Sequence, residues 1–310
     1  MLFVLAADFI QTILNTAKQC GILSLPLDLP HDQDFPILQY ADDTLIFMQG
    51  DARQIFFLKA ILNSFADSTG LKVNYAKSMM VPINVFEHKM NILASTFGCS
   101  IGSLPFTYLG LPLSITKPTI ADFWPLVSKC ERMLVTISSF MSQAGRLQMT
   151  NVVLSALPTY AMCAYLLPKT VIRQIDKFRT HCLWRGSDPH SKTPQKAAWK
   201  LVCNSKENGG LGVHDLYIQN ESLLLKHLHK FFNKCDIPWV QLMWNTHYIG
   251  DSIPINDRKG SFWWKDIFKL MGKYKDMASV IIGDGSTCLF WSDLWHGPPL
   301  NVQCLELFSF

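Results

Sequence analysis

The chain contains 310 residues, a length that allows two or three domains. Hydrophobic residues make up 49% of it and charged residues only 17%, which excludes an intrinsically disordered chain. The nine cysteines include no Cys-x-x-Cys pair, so the sequence predicts free thiols in a reducing compartment and neither a zinc site nor a dithiol redox centre. Two prolines and several polar residues interrupt the uncharged run 147–168, and the apolar N-terminus lacks a basic region, so neither a membrane span nor a signal peptide is predicted.

The positive charge is concentrated in one part of the chain. The formal net charge is +4, yet residues 111–210 alone carry 13 basic and 5 acidic residues. Its densest part contains the following basic residues: Lys169, Arg173, Lys177, Arg179 and Arg185. Such a segment is either a solvated basic helix face or a surface that binds backbone phosphates, and charge alone does not decide between the two.

The first predicted element is a helix over 1–20. Leu2, Leu5 and Phe9 recur at helical spacing, which predicts an apolar face and leaves Asp8 on the polar side. A loop is predicted at 26–36, and a helix over 51–69 that ends at Gly70 and has these residues on one face: Ile55, Leu58, Ile61, Leu62 and Phe65. Short strands are predicted at Val73 and 78–81, followed by mainly helices from Thr119 to Arg185 with breaks near Gly145, Pro158 and Pro168. The last hundred residues are predicted to mix helices with loops. The last predicted elements are helices near 217–235 and 262–275 and a strand pair at 279–294.

Two adjacent carboxylates, Asp42 and Asp43, interrupt the otherwise uncharged run 37–48. Apolar residues flank them on both sides, which predicts two short strands joined by a tight turn with the carboxylates at its tip. Mg²⁺ prefers oxygen ligands, and two such ions can clamp the attacking and leaving oxygens of a phosphoryl transfer. An Asp-Asp turn is also common as an ordinary solvated turn, because Asp bonds its own backbone.

The wider sequence resembles a known family. Tyr40-Ala41-Asp42-Asp43 resembles the catalytic box of reverse transcriptases, and the segments 70–78 and 106–113 resemble the next palm motif and the primer grip of non-LTR (LINE-type) enzymes. The segments 142–147, 157–160 and 182–186 are similar to the helical region after the palm in plant-type LINE polymerases. The similarity continues through 198–203, 209–213, 219–220, 283–286 and 290–295, so it covers nearly the whole chain.

The resemblance implies a role for particular residues. Asp42 and Asp43 would be catalytic metal ligands for Mg²⁺ or Mn²⁺, and Lys77 would be a candidate for protonating the leaving pyrophosphate. The other implied sites are a primer grip at Phe106, Tyr108, Leu109 and Gly110, and nucleic-acid contacts at Arg146, Lys169, Arg173, Lys177, Arg179 and Arg185. Without the family, Lys77 is a solvated lysine and Phe106 and Tyr108 are sheet core.

The resemblance also implies a fold and its division. It predicts an α+β chain with a partial polymerase palm over 1–113, a helical thumb over 114–190, and a mixed region over 191–310 ahead of an absent zinc-binding module. The palm strand that carries a further metal-binding aspartate and the Gly-Gln-Gly-type loop do not occur in the sequence. The chain is therefore expected to begin within the catalytic domain and, with half a metal site, to hold the metal ion only weakly.

Two functional hypotheses follow. In the first, the chain is a fragment of an RNA-directed DNA polymerase that extends a DNA primer on an RNA template, and is inactive by itself. In the second, it is a non-catalytic retrotransposon relic that at most binds nucleic acid. The crowded C-terminal tryptophans, among them Trp263, Trp264, Trp291 and Trp295, are interpreted as an aromatic core, although they could also stack on unpaired bases. His227-x-His229 has the wrong helical spacing for two ligands of one metal ion.

Overall fold

The computed structural model describes residues 2–27, 34–137, 141–186, 194–248, 260–279, 281, 290–291 and 299–308. The chain divides into two compact units, 1–106 and 107–310. The fold is α+β, with short strands and many helices, which confirms the predicted fold class. None of the helices in the described residues is long and apolar enough to cross a membrane.

In its described residues the first unit contains three helices and four short strands. Its elements are α1 (Leu2–Gln19), β1 (Ile37–Tyr40), β2 (Asp43–Ile46), α2 (Ala52–Thr69), β3 (Met79–Met80), α3 (Glu87–Phe97) and β4 (Ser100–Ile101). Strands β1 and β2 pair antiparallel, and β3 pairs parallel with β4. Asp51 caps the start of α2, because its side chain accepts the Gln54 N–H. Gly70 caps the end of the helix with φ 77°, a conformation that favours glycine.

One hydrophobic cluster joins the first four elements of this unit. Leu14 of α1 and Leu58 and Leu62 of α2 are buried in it, and Ile37 and Ile46 of the strand pair pack against it. Ile55, Leu58, Leu62 and Phe65 are buried along α2, as the sequence predicts for that face.

The predicted apolar face of α1 is wrong. Leu5 and Phe9 are 61% and 51% exposed, whereas Leu14 and Ala17 are buried. The helix therefore turns a different side to the core from the one that Leu2, Leu5 and Phe9 indicate, because contact with α2 decides which side is covered.

The second unit begins with a two-stranded sheet of β5 (Phe106–Tyr108) and β6 (Leu111–Leu113). Phe106, the first residue of β5, is the last residue of the first unit. Helices follow. They are α4 (Trp124–Ile137), α5 (Gln143–Gln148), a π-helix (Met149–Leu154), α6 (Thr159–Ala164), α7 (Lys169–Arg185), α8 (Trp199–Val202), α9 (Leu216–Phe232), α10 (Pro238–His247), α11 (Phe262–Phe268), α12 (Met271–Met277), α13 (Leu300–Gln303) and α14 (Leu305–Phe308), with short 3₁₀ turns at Ala121–Phe123 and Lys206–Asn208.

These helices match the prediction that Thr119 to Arg185 is mainly helical, with interruptions before Pro158 and Pro168. Gly145 lies inside α5 rather than between helices, because Ser142 begins that helix by accepting the Gly145 N–H. Val73 lies outside the strands, and α8 and α10 are helices that the sequence analysis did not predict. The predicted strand pair at 279–294 and the segment 283–286 fall almost entirely outside the described residues, and so does Trp295.

The C-terminal helices pack around an aromatic core. The ring of Phe231 on α9 stacks on Trp244 of α10, with 4.6 Å between centroids and 7° between planes. Trp264 of α11 is fully buried against Phe231, and its Nε1 donates a 2.8 Å hydrogen bond to the Tyr248 hydroxyl. The interpretation of Trp264 as part of an aromatic core is thus confirmed.

His227 lies at the edge of this aromatic core. Its ring meets those of Trp239 and Trp263 edge-on, at centroid distances of 5.8 and 5.2 Å. Nε2 donates to the Cys163 carbonyl oxygen at 2.9 Å, and Nδ1 has no hydrogen-bond partner among the described residues. Burial lowers the pKa of His227, the Cys163 bond opposes that shift, and nearby Lys230 adds to it. His229, two residues along, is exposed, so the two imidazoles lie in different surroundings.

The lowered pKa of His227 predicts a pH dependence of stability. Below its ordinary value of 6.5 the unfolded chain binds a proton that the folded chain resists, so the free energy of unfolding falls as the pH drops through this window. His227→Gln, whose amide can still donate to Cys163, is expected to remove much of this loss. Urea unfolding at pH values on both sides of 6.5 measures it. His229→Gln is the control and should leave the dependence intact; equal effects of the two substitutions would contradict the assignment.

Candidate functional site

The two adjacent carboxylates lie at the tip of the β1–β2 hairpin. The register pairs Tyr40 with Asp43, so Ala41 and Asp42 form a two-residue turn and Asp43 is the first residue of β2. Both carboxylates are exposed. The predicted hairpin and its tight turn are therefore confirmed, although only Asp42 belongs to the turn itself.

The hairpin has one covered and one open face. Paired residues share a face, so Leu38 and Tyr40 lie on the same side as Asp43, and they are 54% and 63% exposed. Ile37 and Ile46 cover the other side against the core of the first unit. Gln39 on that side donates from Nε2 to the Ala7 carbonyl oxygen of α1 at 3.0 Å. The carboxylates thus project from a hairpin whose base is held against α1 and α2.

The turn at the hairpin tip stores backbone strain. Ala41 has φ 52°, in the left-handed region that residues with a Cβ rarely adopt. Such positions persist only where the surrounding structure enforces them, and they cluster at functional sites. The strain is therefore an observation, independent of the sequence motif, that favours a functional tip.

Lys77 lies on a second turn that shares a core with the hairpin. The Lys77 N–H donates to Asn74 at its carbonyl and side-chain oxygens, both at 3.1 Å, and Val73 packs in the same cluster as Ile37 and Ile46. Tyr75 holds the turn against its neighbours: its hydroxyl donates to Asn63 Oδ1 at 2.8 Å. The backbone at Lys77 is thus fixed, while its side chain is exposed.

The third predicted motif forms a hairpin of its own. In the turn between β5 and β6, Leu109 has φ 49° and Gly110 has φ 80°, the two positive values of a type I′ turn. Leu111 packs against the core of α4 and α7, and the Tyr165 hydroxyl donates to the Pro112 carbonyl oxygen at 2.7 Å. Phe106 and Tyr108 are half-buried, so the strand that carries the predicted primer grip is also part of the packed structure.

The predicted basic residues of α7 divide into an exposed and a buried set. Lys169, Arg173 and Lys177 are spaced by four residues and exposed, so they form a ridge along the outer side of the helix. Arg185 is half-buried in the last turn, and the half-buried Arg146 lies against Gly186 at the end of α7, where a cation interacts favourably with the helix dipole.

Arg179 does not belong to the exposed ridge, which corrects its prediction as a nucleic-acid contact. Its side chain is fully buried. Nη1 donates to Asp176 Oδ1 at 2.6 Å, and Nη2 donates to the Ser155 hydroxyl at 2.8 Å and to the His214 carbonyl oxygen at 2.6 Å. The Trp199 ring covers the guanidinium at 5.2 Å. Burial raises the pKa of Asp176 and outweighs the opposing effect of Arg179.

The sequence analysis missed a second cationic site in the same unit. Lys117, shortly after β6, and Lys269, at the end of α11, donate to the two carboxylate oxygens of Asp266 at 2.5 and 2.7 Å. Asp266 is only 7% exposed. Lys117 and Asp266 lie 149 positions apart in the chain, so no local pattern could have revealed the pair.

The predicted metal site is not completed within the described residues. These residues include no group of three or more His, Cys, Asp or Glu side chains that could hold a metal ion. Asp42 and Asp43 fit one side of a two-ion centre by their chemistry and exposure. Asp8 is exposed on α1 and belongs to no such group.

Comparison with known proteins gives two relatives. No protein-family model matches the chain. The chain is similar to an Arabidopsis thaliana protein named "Putative ribonuclease H protein", with 31% identity over 195 residues, which are 60% of this chain and 30% of that protein. It is also similar to an uncharacterized mitochondrial protein of Arabidopsis thaliana, with 28% identity over 155 residues, which are 47% of this chain and 99% of that protein. The chain thus spans less than a third of the first relative and nearly all of the second.

Ala41→Gly is expected to stabilise the first unit. Glycine adopts the left-handed conformation without the penalty of a Cβ, so the substitution should raise the free energy of unfolding by about 1 kcal/mol. Ala60→Gly, at an exposed position inside α2, is the matched control and should lower it by about the same amount. Urea unfolding followed by circular dichroism measures both. A loss of stability in Ala41→Gly would show that the turn is not strained.

Arg179→Met is expected to destabilise the second unit by about 3–5 kcal/mol, because it leaves Asp176 buried without its cation. Lys177→Met, two residues away on the exposed ridge, should change stability by less than about 0.5 kcal/mol. Thermal or urea unfolding of the two variants distinguishes them. Similar losses in both would mean that Arg179 is not the buried partner that its contacts indicate.

Proposed function

We propose that the chain is part of an RNA-directed DNA polymerase of a LINE-type retrotransposon. The observation that carries this proposal is the hairpin: two adjacent exposed carboxylates at a strained tip, packed on the same core as the Lys77 turn. The similarity to a protein named as a ribonuclease H protein supports a nucleic-acid partner. The three palm motifs follow one another in the order that the resemblance requires.

Each part of the chain has a role in this proposal. Asp42 and Asp43 hold one side of the Mg²⁺ or Mn²⁺ site, and the ions, when bound, stabilise the charge on the phosphates. Lys77 donates a proton toward the pyrophosphate oxygen. The β5–β6 hairpin, with Phe106, Tyr108, Leu109 and Gly110, contacts the primer strand of the RNA–DNA hybrid.

The exposed ridge of α7 contacts the sugar–phosphate backbone. Lys169, Arg173 and Lys177 stand about 6 Å apart along the helix, as a rise of 1.5 Å per residue requires. Lysine and arginine contacts of this kind position the duplex without reading its sequence. Arg185 lies in the last turn of α7, and Arg146 of α5 lies against Gly186 at the same end of that helix. Arg179 has no part in this contact because its guanidinium is buried.

The chain by itself is proposed to lack polymerase activity. Two carboxylates on one hairpin tip supply only one side of a two-ion centre, and Mg²⁺ needs near-ideal octahedral coordination before it gives up its waters. The second candidate function is therefore nucleic-acid binding without catalysis. The exposed ridge of α7 favours it, because phosphate contacts need no metal ion.

The test of the hairpin's role uses the full chain and Fe²⁺ as a stand-in for Mg²⁺. With ascorbate, bound Fe²⁺ generates radicals that cut the backbone beside its ligands, and mass spectrometry locates the cut. We expect cleavage near Asp42 and Asp43 that is lost in the double variant Asp42→Asn/Asp43→Asn. Asp67→Asn, an exposed carboxylate of α2, serves as the control and should leave the cleavage unchanged. Cleavage elsewhere, or none, would reject the metal site and leave the binding function.

Activity is measured separately. The chain is incubated with an RNA template, a DNA primer, labelled nucleotide and Mg²⁺ or Mn²⁺. We expect no incorporation by the chain alone. Incorporation that disappears in Asp42→Asn would show that the chain is an active polymerase and overturn the statement that it lacks activity.

A further inference from the structure

We propose that Lys117 and Lys269 form a phosphate-binding site for the nucleic-acid strand at the base of the β5–β6 hairpin. The proposal rests on the function given above. It assigns a role to the C-terminal helices beyond their aromatic core.

The pair is built around a single buried carboxylate. Lys117 Nζ and Lys269 Nζ each donate to a different oxygen of Asp266, so the two ammonium groups flank the same carboxylate. Two positive charges on one negative charge leave one uncompensated. Each ammonium has three N–H donors, of which Asp266 accepts one. The side chains of Lys117 and Lys269 are 48% and 56% exposed, so donors remain accessible to an anion from solvent.

Neighbouring groups leave the site positive. Lys265, one helical turn before Lys269, is exposed on the same side of α11. Lys273 of α12 pairs with Glu221 of α9, so its charge is offset and it does not belong to the site. Among the described residues, Asp266 is the carboxylate that both Lys117 and Lys269 contact.

Three hydrogen bonds fix the pair close to the hairpin. Trp263 and Asp266 lie three residues apart on α11, so they share a side of the helix. Trp263 Nε1 donates to the Ala164 carbonyl oxygen at 2.7 Å, and the next residue, Tyr165, donates to the Pro112 carbonyl oxygen of β6 at 2.7 Å. Lys117 lies four residues after the end of β6, and its Nζ donates the third hydrogen bond, to Asp266.

This arrangement selects a phosphodiester backbone. A phosphate bridging two ammonium groups gains charge-assisted hydrogen bonds from both. A strand that runs along the hairpin would bring such a phosphate to its base. The contact carries no base specificity, because ammonium groups act as point charges.

The test compares salt dependences of binding. Full-length chain is titrated with a fluorescently labelled RNA–DNA hybrid at several salt concentrations. The slope of log K against log salt is negative, and Lys117→Gln and Lys269→Gln should each lower its magnitude by about 1, because each removes one phosphate contact. In either variant the remaining lysine still pairs with Asp266, so the fold is retained. Lys269→Arg keeps the charge and should keep the slope.

Two further variants interpret the result. Lys89→Gln removes an exposed lysine of α3 and should leave the slope unchanged. Arg173→Gln, on the ridge of α7, should lower its magnitude. If Arg173→Gln lowers the magnitude of the slope and Lys269→Gln does not, this inference fails while the proposed function stands. Failure of the unmodified chain to bind the hybrid would reject both the site and the nucleic-acid partner.

A second measurement needs no variant. Acylation of lysines by an amine-reactive reagent is mapped by mass spectrometry with and without the hybrid. We expect protection of Lys117 and Lys269, and none from inorganic phosphate alone at the same ionic strength. Full protection by phosphate alone would reassign the pair to a free anion, and no protection by the hybrid would overturn the proposal.

Discussion

The second unit depends on one buried cation. The Arg179 guanidinium connects α7, the end of the π-helix at Ser155 and the segment that begins α9 at His214. Burying a charge costs free energy unless it is paired and hydrogen-bonded, so these segments have to keep the positions that supply acceptors to the two Nη groups. The position of the exposed ridge depends on these contacts too, because Lys169, Arg173 and Lys177 lie on the same helix as Arg179.

Two hairpin tips share an unusual choice of residue. Ala41 and Leu109 both have positive φ, where glycine would be free of strain. Each turn belongs to a motif for which the resemblance to reverse transcriptases implies a role, metal binding at the first and primer contact at the second. Positive φ at a residue with a Cβ costs stability at both tips.

Much of the local structure could be predicted because it depends on short-range pattern. The face of α2 and its end at Gly70 follow from spacing and from one residue type, and the β1–β2 hairpin follows from the apolar residues on both sides of Asp42 and Asp43. What failed depends on packing. Leu5 and Phe9 have helical spacing but lie outside the core, and Arg179, two residues after Lys177, lies on the opposite side of α7 and is buried. Lys117 and Asp266 meet only through the tertiary fold.

The β1–β2 hairpin has a consequence for the protein in solution. The two strands pair only with each other in the described part of the chain, and Leu38 and Tyr40 are exposed on one face. Unpaired strand edges beside apolar side chains are templates for another copy of the same strand. The colloidal behaviour of the chain should therefore depend on concentration, with dilute samples monodisperse and concentrated samples self-associating through this hairpin. The negative charge at its tip opposes that association by repulsion between copies, and added salt weakens the repulsion.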